Sequence, residues 1–456
     1  MNIEINMEEL KDLVKDKEFR KLKFLLERMN EADVAEFLEE LPMQQSVLVF
    51  RMLPKSTASD VFAFLPVEIQ KEIILAITDK ELQTIVEDLY MDDVVDMLEE
   101  LPASVVRRVL ENATPETRKT INQFLNYPEN SAGSIMTAEY ISLKRGMTVS
   151  QSFDYIRAHG QDKETIYVLY VTDAERHLEG VVTVKDLLMH GYEVPIEELM
   201  DVNVISCVTT DDQEDAANLM KKYDLLSLAV VDTEDRLVGL ITVDDAVDVM
   251  QQEATEDMEK MAAMLPSDRA YLKTSVFDTW KARIPWLMLL MISATFTGAI
   301  IDSFEDALAV CTVLTGFIPM LMDTGGNSGS QASVSVIRGL SLKEIEFDDL
   351  FRVIWKEIRV AVLCGFTLAC VNFVKILLVD KMLMGREGIT LTVDAVVCAT
   401  LMLTIICAKC IGCILPMLAD RLGFDPAVMA SPFITTLVDA VSLLIYFQLA
   451  SAALGF

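Results

Sequence analysis

Basic residues are scarce in this 456-residue sequence, which has 39 Lys and Arg against 71 Asp and Glu and a formal net charge of −32. A surface with this excess repels the phosphate backbone of nucleic acids and attracts cations. The excess is concentrated at the start of the chain, because residues 1–280 carry a net charge of −29 and the remainder carries −3. The composition argues against a nucleic-acid partner and divides the chain into an acidic half and a nearly neutral half.

Histidine is rare and cysteine is confined almost wholly to the second half. The three histidines lie within residues 159–190 and show no metal-ligand spacing. Seven of the eight cysteines follow residue 280, in apolar segments where a secreted disulfide framework makes no sense. Cys407, Cys410 and Cys413 have an iron–sulfur-like spacing, but a fourth nearby cysteine is missing. We interpret these thiols as small side chains packed between helices.

The first residues lack the basic and apolar segments of a secretory signal peptide. We therefore expect the acidic half to stay in the cytosol. At about 150 residues per domain, its length suggests two soluble domains, with a membrane domain after them.

A 12-residue repeat runs through the start of the acidic half. Leu41-Pro42, Leu53-Pro54, Leu65-Pro66 and Leu101-Pro102 fall on one grid of 12 residues. Four residues before successive grid points stands an apolar residue: Phe37, Val49, Val61, Ile73, Ile85, Met97, Val109 and Ile121. Because proline interrupts helices, the pattern predicts short helices joined by corners and stacked as an all-α superhelical domain over residues 1–128.

Two similar units follow, over residues 129–192 and 193–250. Each closes on the sequence Gly-φ-φ-Thr-x-x-Asp, which begins at Gly180 in the first unit and at Gly239 in the second. In each unit the pattern predicts a strand, a helix, two strands of alternating polarity, a turn and a second helix. The doubled pattern resembles a tandem pair of CBS domains, which have an α+β fold.

Long uncharged segments dominate the rest of the chain. An acidic amphipathic helix is predicted within residues 245–275, and it leads into a membrane domain over residues 276–456. Five segments have about the length and apolarity of membrane helices, namely Ile284–Ile301, Ala307–Met322, Val360–Val379, Ala395–Ala419 and Pro426–Phe456. The loop at 323–359 carries five basic residues and the loop at 302–306 carries none, so the former is expected on the cytosolic side together with the N-terminus.

One charge, Asp439, lies inside the last apolar segment. A carboxylate at bilayer depth costs roughly 2.5–3.5 kcal/mol, so such a residue indicates a cation pathway. The polar stretch Asp323–Gln331 is rich in Gly, Ser and Asn, and at a helix end it would line a hydrated pore mouth. Mg²⁺ is usually bound through few carboxylates with its waters retained, whereas zinc or copper would call for Cys or His beside Asp439.

Together these features resemble the MgtE family of magnesium channels. The resemblance rests on the domain order and on two motifs, Thr-Gly-Gly-Asn-x-Gly-x-Gln at Thr324–Gln331 and Pro-φ-φ-x-Thr-Leu-φ-Asp ending at Asp439. It implies a homodimer in the cell (inner) membrane with the ion path between two five-helix bundles. It also implies Mg²⁺-selective uptake that stops when cytosolic Mg²⁺ bridges the superhelical domain, the CBS pair and the connecting "plug" helix.

The resemblance assigns residues to these roles. The carboxylates implied to bind regulatory Mg²⁺ are Asp92, Asp96, Asp224, Asp245, Asp248, Glu253, Glu256, Asp257 and Asp425. The residues implied to line the pore beside Asp439 are Asn327, Gln331, Ser431 and Thr435, and some members of the family have Asn in place of Ser431. In CBS domains the Thr and Asp of the closing motif can hold an adenosine ribose, which implies an ATP site at Thr183 and Asp186.

Two alternatives stay open at this point. A transporter of broader divalent specificity, including Mn²⁺ or Co²⁺, would have the same architecture. Asp323-Thr324-Gly325 also spells the aspartic-protease signature, and Asp323 with Asp439 could form the pair of an intramembrane aspartyl protease. We expect these two carboxylates at different depths, and we predict that the protein is not an enzyme.

Overall fold

The structure is a computed structural model that describes residues 7–267, 271–272, 274–305, 311–386, 388–429 and 431–454. The side chains of Ser56 and Ser431 lie outside this description. The chain forms two compact units, Met1–Met250 and Gln251–Phe456.

Ten short helices begin the first unit. They are α1 (Met7–Lys15), α2 (Phe19–Leu26), α3 (Glu31–Glu40), α4 (Met43–Phe50), α5 (Lys55–Ala63), α6 (Val67–Ala76), α7 (Asp79–Asp88), α8 (Met91–Glu100), α9 (Ala103–Asn112) and α10 (Pro115–Phe124). From α3 onward each helix begins 12 residues after the one before it. The eight apolar residues of the sequence repeat, from Phe37 to Ile121, are all buried. The predicted superhelical repeat is confirmed.

Two kinds of corner separate these helices. Prolines such as Pro42 and Pro54 occupy the position before a helix, where a missing N–H leaves no helical hydrogen bond unmade. At α7, Thr78 caps the helix by accepting a hydrogen bond from the Glu81 N–H, and the Glu81 carboxylate accepts one from the Thr78 N–H at 2.8 Å. Either device lets the chain turn and restart a helix after two to four residues.

The CBS pair follows in the same unit. Its elements are β1 (Ser142–Leu143), α11 (Val149–His159), β2 (Val168–Thr172), β3 (Leu178–Thr183), α12 (Val184–Met189), β4 (Ser206–Val208), α13 (Gln213–Tyr223), β5 (Ser227–Val231), β6 (Leu237–Thr242) and α14 (Val243–Met261). Each half holds a three-stranded sheet in which the first pair of strands is parallel and the second antiparallel. The two sheets meet through Tyr170 and Ser227, whose hydroxyl oxygens are 2.9 Å apart. The predicted strand–helix–strand–strand–helix order is confirmed in both halves.

Five long helices make up most of the described part of the second unit. They are α15 (Val276–Ser303), α16 (Ile318–Ser341), α17 (Leu350–Lys375), which a π-helical segment extends to Leu383, α18 (Leu391–Arg421) and α19 (Ser431–Leu454). Within the described residues, four spans have the length and apolarity to cross a membrane: Val276–Ser303, Phe347–Leu383, Leu391–Arg421 and Pro426–Leu454. Helix α16 is the exception because glycine, serine and amide side chains lower its hydropathy.

The predicted second membrane segment, Ala307–Met322, was wrong in its bounds. A 3-10 helix covers Thr312–Phe317, the α-helix begins at Ile318, and residues 306–310 lie outside the described part of the chain. The polar stretch Asp323–Gln331 therefore lies inside a helix and not at its end. Glycine and serine have low intrinsic helix propensity, which favoured a turn at the sequence level, but packing against neighbouring helices overrides that preference.

Glycines bring α16 against α18 and α19 at very short range. A Cβ atom added to Gly412 on α18 would lie 2.3 Å from the carbonyl oxygen of Gly329 on α16. A Cβ on Gly326 would lie 2.8 Å from Cγ2 of Thr435 on α19, and one on Gly325 would lie 2.7 Å from Cγ2 of Thr404. These helices can approach so closely only because no side chain stands between them.

The Gly412→Val substitution should destabilise the membrane unit by about 1–3 kcal/mol, because the new side chain overlaps the backbone of α16. We expect a lower Tm in a fluorescence-detected thermal unfolding experiment on the full-length protein in detergent. Gly298→Val on α15 is the matched control, since a Cβ there meets no atom within 4 Å. Equal Tm values for the two variants would contradict the packing argument.

Candidate ion pathway and cation-binding carboxylates

Helix α16 has two chemically different faces. Its glycine face packs inside the unit, whereas Asp323, Asn327 and Gln331 are exposed along the opposite side. Residues four apart lie one above the other on a helix, so these three form a stripe roughly 12 Å long. Asn327 Nδ2 donates a hydrogen bond to Asp323 Oδ1 at 3.1 Å. The glycine packing thus turns a continuous line of carboxylate and amide oxygens outward.

Asp439 lies on the neighbouring helix α19 and is half-buried. The structure shows it no hydrogen bond or ion pair within the described residues. Thr435 stands one turn earlier, where its hydroxyl donates to the Pro432 carbonyl at 2.9 Å. Helix α19 begins at Ser431, whose side chain is outside the described residues, so its predicted pore-lining role has no structural account here.

Asp323 and Asp439 lie on helices α16 and α19, which pack against each other where Gly326 meets Thr435. The sequence analysis placed the polar stretch that begins at Asp323 at a helix end, whereas helix α16 continues through it. That the two carboxylates lie at different depths stays a prediction. Carboxylates on two adjacent membrane helices favour a cation beside them.

A second group of carboxylates occurs in the first unit. Asp92 and Asp93 at the start of α8 lie in electrostatic range of Glu164 and of Asp245 at the start of α14. Sequence reasoning singled out Asp92 and Asp245 but missed Asp93 and Glu164. Asp93 follows the predicted ligand Asp92 directly, and this position could have marked it as a further ligand. Glu164 lies in a loop, and nothing in the sequence marks it as a ligand.

These carboxyl groups hold protons more tightly than ordinary acids do. Burial, with the charge of Asp245, raises the pKa of Asp92 well above its usual value. Burial and neighbouring carboxylates also raise the pKa of Asp93 to about 6 and that of Glu164 to about 7. A raised acid pKa means that the compact arrangement is favoured at low pH and loses stability as pH rises through 6 to 7. A bound divalent cation would replace the protons.

The buried oxygens of this cluster fit a cation. Asp92 Oδ1 and Glu164 Oε2 are buried and have no hydrogen-bond partner. Glu139 accepts a hydrogen bond from the Met91 N–H at 3.4 Å and so holds the start of α8 near this site. Asp245 accepts hydrogen bonds from the N–H and hydroxyl of Thr242, which anchors it in the first turn of α14. Carboxylate oxygens without donors are the ligands that Mg²⁺ prefers.

Three other predicted ligands of the first unit are exposed. Asp96 on α8 and Asp248 on α14 lie about one turn beyond Asp92 and Asp245, and both remain in electrostatic range of Asp245. Asp224 is exposed and ends α13 in the left-handed conformation, with φ of 52°. Aspartate tolerates that conformation better than most residues, so a helix-capping role accounts for its presence.

The predicted plug carboxylates of the second unit already have a cation beside them. Lys260 on α14 places its Nζ 2.5 Å from Glu256 and 2.6 Å from Asp425, in the loop before α19. Burial, together with the charge of Asp425, raises the pKa of Asp257 to about 6. Glu253 lies half-buried on the same helix and also has an interaction partner. Mg²⁺ bound at Asp425 would therefore share this carboxylate with Lys260 or displace the lysine.

Thr183 and Asp186, the predicted nucleotide residues, hold each other. Asp186 Oδ2 accepts hydrogen bonds from the Thr183 N–H at 3.0 Å and from the Thr183 hydroxyl at 2.5 Å. Thr183 in turn accepts one from the Asp186 N–H at 3.2 Å, which completes a capping box at α12. These hydrogen bonds, first of all the one from the Thr183 hydroxyl, lower the pKa of Asp186. The motif thus has a structural role that is independent of any nucleotide.

One histidine, in a sequence that shows no metal-ligand spacing for its histidines, has two acidic side chains close to it. His177 Nδ1 lies 2.8 Å from Asp173 Oδ2, and Glu175 is close enough for all three ligand atoms to lie within 4.8 Å of one another. The group belongs to the turn between β2 and β3, and the histidine–aspartate contact holds that turn together. The spacing of these residues is not one that places ligands together on a helix, and only the turn between β2 and β3 brings them close.

Family models match most of the chain. The intracellular N domain of MgtE matches residues 29–130, CBS domains match residues 132–193 and 196–252, and the MgtE divalent cation transporter model matches residues 318–449. These ranges correspond to the superhelix, the two α+β halves and helices α16 to α19.

Relatives of similar length carry one name. The magnesium transporter MgtE of Thermus thermophilus is 35% identical over 445 residues, covering 97% of each chain. That of Bacillus subtilis is 32% identical over 440 residues, covering 96% of this chain and 95% of the relative. A crystal structure of the cytosolic domain of the Mg²⁺ channel MgtE in complex with ATP is similar to 54% of this chain and to all of its own, with 35% identity and a TM-score of 0.51. By its domain order and by these matches, the chain belongs to the MgtE family of divalent cation transporters.

Proposed function

We propose that this protein carries Mg²⁺ across the cell (inner) membrane along a path lined by Asp439 and by the polar stripe of α16, with its N-terminus in the cytosol. The observation that carries the proposal is an unpaired carboxylate on a membrane helix next to an exposed line of amide and carboxylate oxygens. The names of the full-length relatives support Mg²⁺ as the cargo. The family is one of transporters, so a protease activity of Asp323 and Asp439 is not part of the proposal.

The chemistry of the lining suits a hydrated ion. Mg²⁺ sheds water reluctantly, so a path for it needs charge at one place and hydrogen-bond acceptors around the retained waters. Asp439 supplies the charge, and Asn327, Gln331 and Thr435 supply neutral oxygens. Mn²⁺ and Co²⁺ also accept oxygen ligands, so the same path would admit them at lower selectivity.

A second copy of the chain completes the path. The polar stripe and part of Asp439 lie on the surface of a single helix bundle, where lipid would leave their hydrogen-bonding groups unsatisfied. Homodimers with a twofold axis are the commonest assembly, and an isologous contact through this face would line a channel with two copies of each residue. The doubled Asp439 would then bind one hydrated divalent ion with balanced charge.

Cytosolic Mg²⁺ closes the path in this proposal. The half-buried carboxylates Asp92, Asp93, Glu164 and Asp245 repel one another in the compact arrangement of the first unit, and a bound cation removes that cost. Mg²⁺ therefore binds the compact state more tightly and shifts the population toward it. A change from 1:99 to 99:1 needs about 5.5 kcal/mol of differential binding, more than one weakly held ion supplies, so several sites act together.

ATP is a further proposed ligand of the CBS pair. The similar cytosolic domain was crystallised with ATP, and the Thr183–Asp186 motif of this chain leaves Asp186 Oδ1 outside its capping box. That oxygen is the one that remains for a ribose hydroxyl.

Asp439→Asn should reduce Mg²⁺ uptake to the background of protein-free vesicles, because the amide keeps the volume but removes the charge that holds the ion. Uptake is measured in proteoliposomes with an enclosed Mg²⁺-sensitive dye, and Mn²⁺ is tested in parallel. Asp302→Asn, at an exposed end of α15, is the control that loses the same charge. Wild-type uptake by the Asp439 variant would contradict the assignment.

Asp92→Asn, Asp245→Asn and Asp248→Asn combined should leave the channel open at millimolar cytosolic Mg²⁺, because the regulatory cations lose their ligands. Asparagine keeps a side-chain oxygen, so the cap that Asp245 forms with Thr242 is preserved. Patch recordings against cytosolic Mg²⁺ measure the closing concentration. A variant with Asp12, Asp33 and Asp154 changed to Asn loses three exposed charges and should close normally; closure of the first variant at the wild-type concentration would refute the regulatory role.

Asp186→Asn should weaken ATP binding at least tenfold, because the neutral amide accepts a ribose hydroxyl less strongly while it still caps α12. Calorimetric titration of the full-length protein with ATP measures the change, with Asp154→Asn in the same CBS unit as the control. If the wild-type protein gives no heat at millimolar ATP, the nucleotide proposal is wrong.

A further inference from the structure

One carboxylate of the membrane unit lies fully buried and forms no ion pair with the described residues. Asp394 on α18 has 0% exposure, and its Oδ2 atom has no hydrogen-bond partner. Two other carboxylates of this unit, the buried Asp380 and the half-buried Glu357, are paired: Asp380 lies 2.8 Å from Lys375 Nζ, and Glu357 lies 3.3 Å from Lys409 Nζ. The structure shows no ion pair for Asp394 within the described residues.

A thiol lies beside this carboxylate, and an amide lies beside the thiol. Cys398 lies one turn along α18, and its Sγ is 3.5 Å from Asp394 Oδ1. The same Sγ is 3.7 Å from the side-chain amide of Asn372 on α17 and 3.4 Å from the carbonyl oxygen of Ala369. The sulfur thus lies at the centre of a group of polar atoms drawn from two helices.

The spacing matches the edges of a tetrahedral metal site. With a metal–sulfur bond of about 2.3 Å and a metal–oxygen bond of about 2.1 Å, a tetrahedral angle sets the two ligand atoms roughly 3.6 Å apart. The distances from Cys398 Sγ to Asp394 and to Asn372 are 3.5 Å and 3.7 Å. A rotation of the Asn372 side chain by half a turn would point its oxygen at the metal in place of its nitrogen.

We propose that Asp394, Cys398 and Asn372 form a binding site for a thiophilic divalent cation of the Zn²⁺ and Cd²⁺ class. Binding replaces the thiol proton, which passes to solvent, with a sulfur–metal bond. One thiolate and one carboxylate then neutralise the two charges of the ion, so the loaded site carries no net charge into the membrane. Cys398 is partly exposed and offers the ion a way in.

This site differs in kind from the proposed Mg²⁺ path. Mg²⁺ prefers oxygen ligands and keeps its waters, whereas a thiolate selects softer metals. Because its ligands come from α17 and α18, a bound metal would pin these two helices together. Binding of a thiophilic metal here does not require Mg²⁺ transport, so a metal-binding experiment by itself tests the site.

Cd²⁺ titration of the purified full-length protein tests the proposal. We expect the ultraviolet band of a thiolate–Cd²⁺ bond to saturate at one tight equivalent per chain, with a rise in Tm in the same samples because the metal binds the folded state. Cys398→Ser should abolish the tight equivalent, and Asp394→Asn should weaken it at least tenfold; neither should then show the rise in Tm.

Cys364→Ser is the matched control, since Cys364 is an exposed thiol on α17 outside the group. It should keep both the tight equivalent and the rise in Tm. If Cd²⁺ binds Cys398→Ser and Asp394→Asn as tightly as the wild type, or if the wild type shows no tight equivalent, the site does not exist and Asp394 is simply an acid buried beside a thiol.

Discussion

Carboxylates held close together without a counter-charge are the constraint on which the rest of this structure depends. In the first unit, Asp92, Asp93, Glu164 and Asp245 converge with two oxygens unpartnered. In the second, Asp323 and Asp439 lie on two membrane helices that pack against each other. Each arrangement is costly by itself and becomes favourable when a cation or a proton is present. The proposed closure by cytosolic Mg²⁺ rests on this property.

The glycine face of α16 lets one helix satisfy two opposing demands. A membrane helix must pack its backbone closely, and an ion path must present oxygens to water. Gly325, Gly326 and Gly329 meet α18 and α19, and as a result Asp323, Asn327 and Gln331 face the other way. A side chain at any of these glycines would push the helix outward and disturb the position of the stripe relative to Asp439. The rotation of α16 about its own axis thus determines both the close packing of its glycines and the position of its polar stripe.

Lys260 shows that the chain supplies some of its own counter-charge. Its ammonium group lies between Glu256 and Asp425, where the family resemblance assigns Mg²⁺ ligands. An internal lysine at such a place offsets the repulsion between the two carboxylates, and it would compete with Mg²⁺ if the ion binds there as proposed. The midpoint of closure would then depend on this lysine as well as on the carboxylates.

The sequence by itself determined the repeat, the domain order and the isolated position of Asp439. The 12-residue grid predicted eight buried apolar residues correctly, because local helix breaks and burial follow from residue type and spacing. Tertiary structure alone decided that the glycine-rich stretch is helical, that Glu164 joins Asp92, and that Cys398 meets Asn372. Those pairings join residues distant in sequence, and they depend on side-chain packing that overrides local propensity. Spacing along one chain carries no signal of a neighbour on another helix.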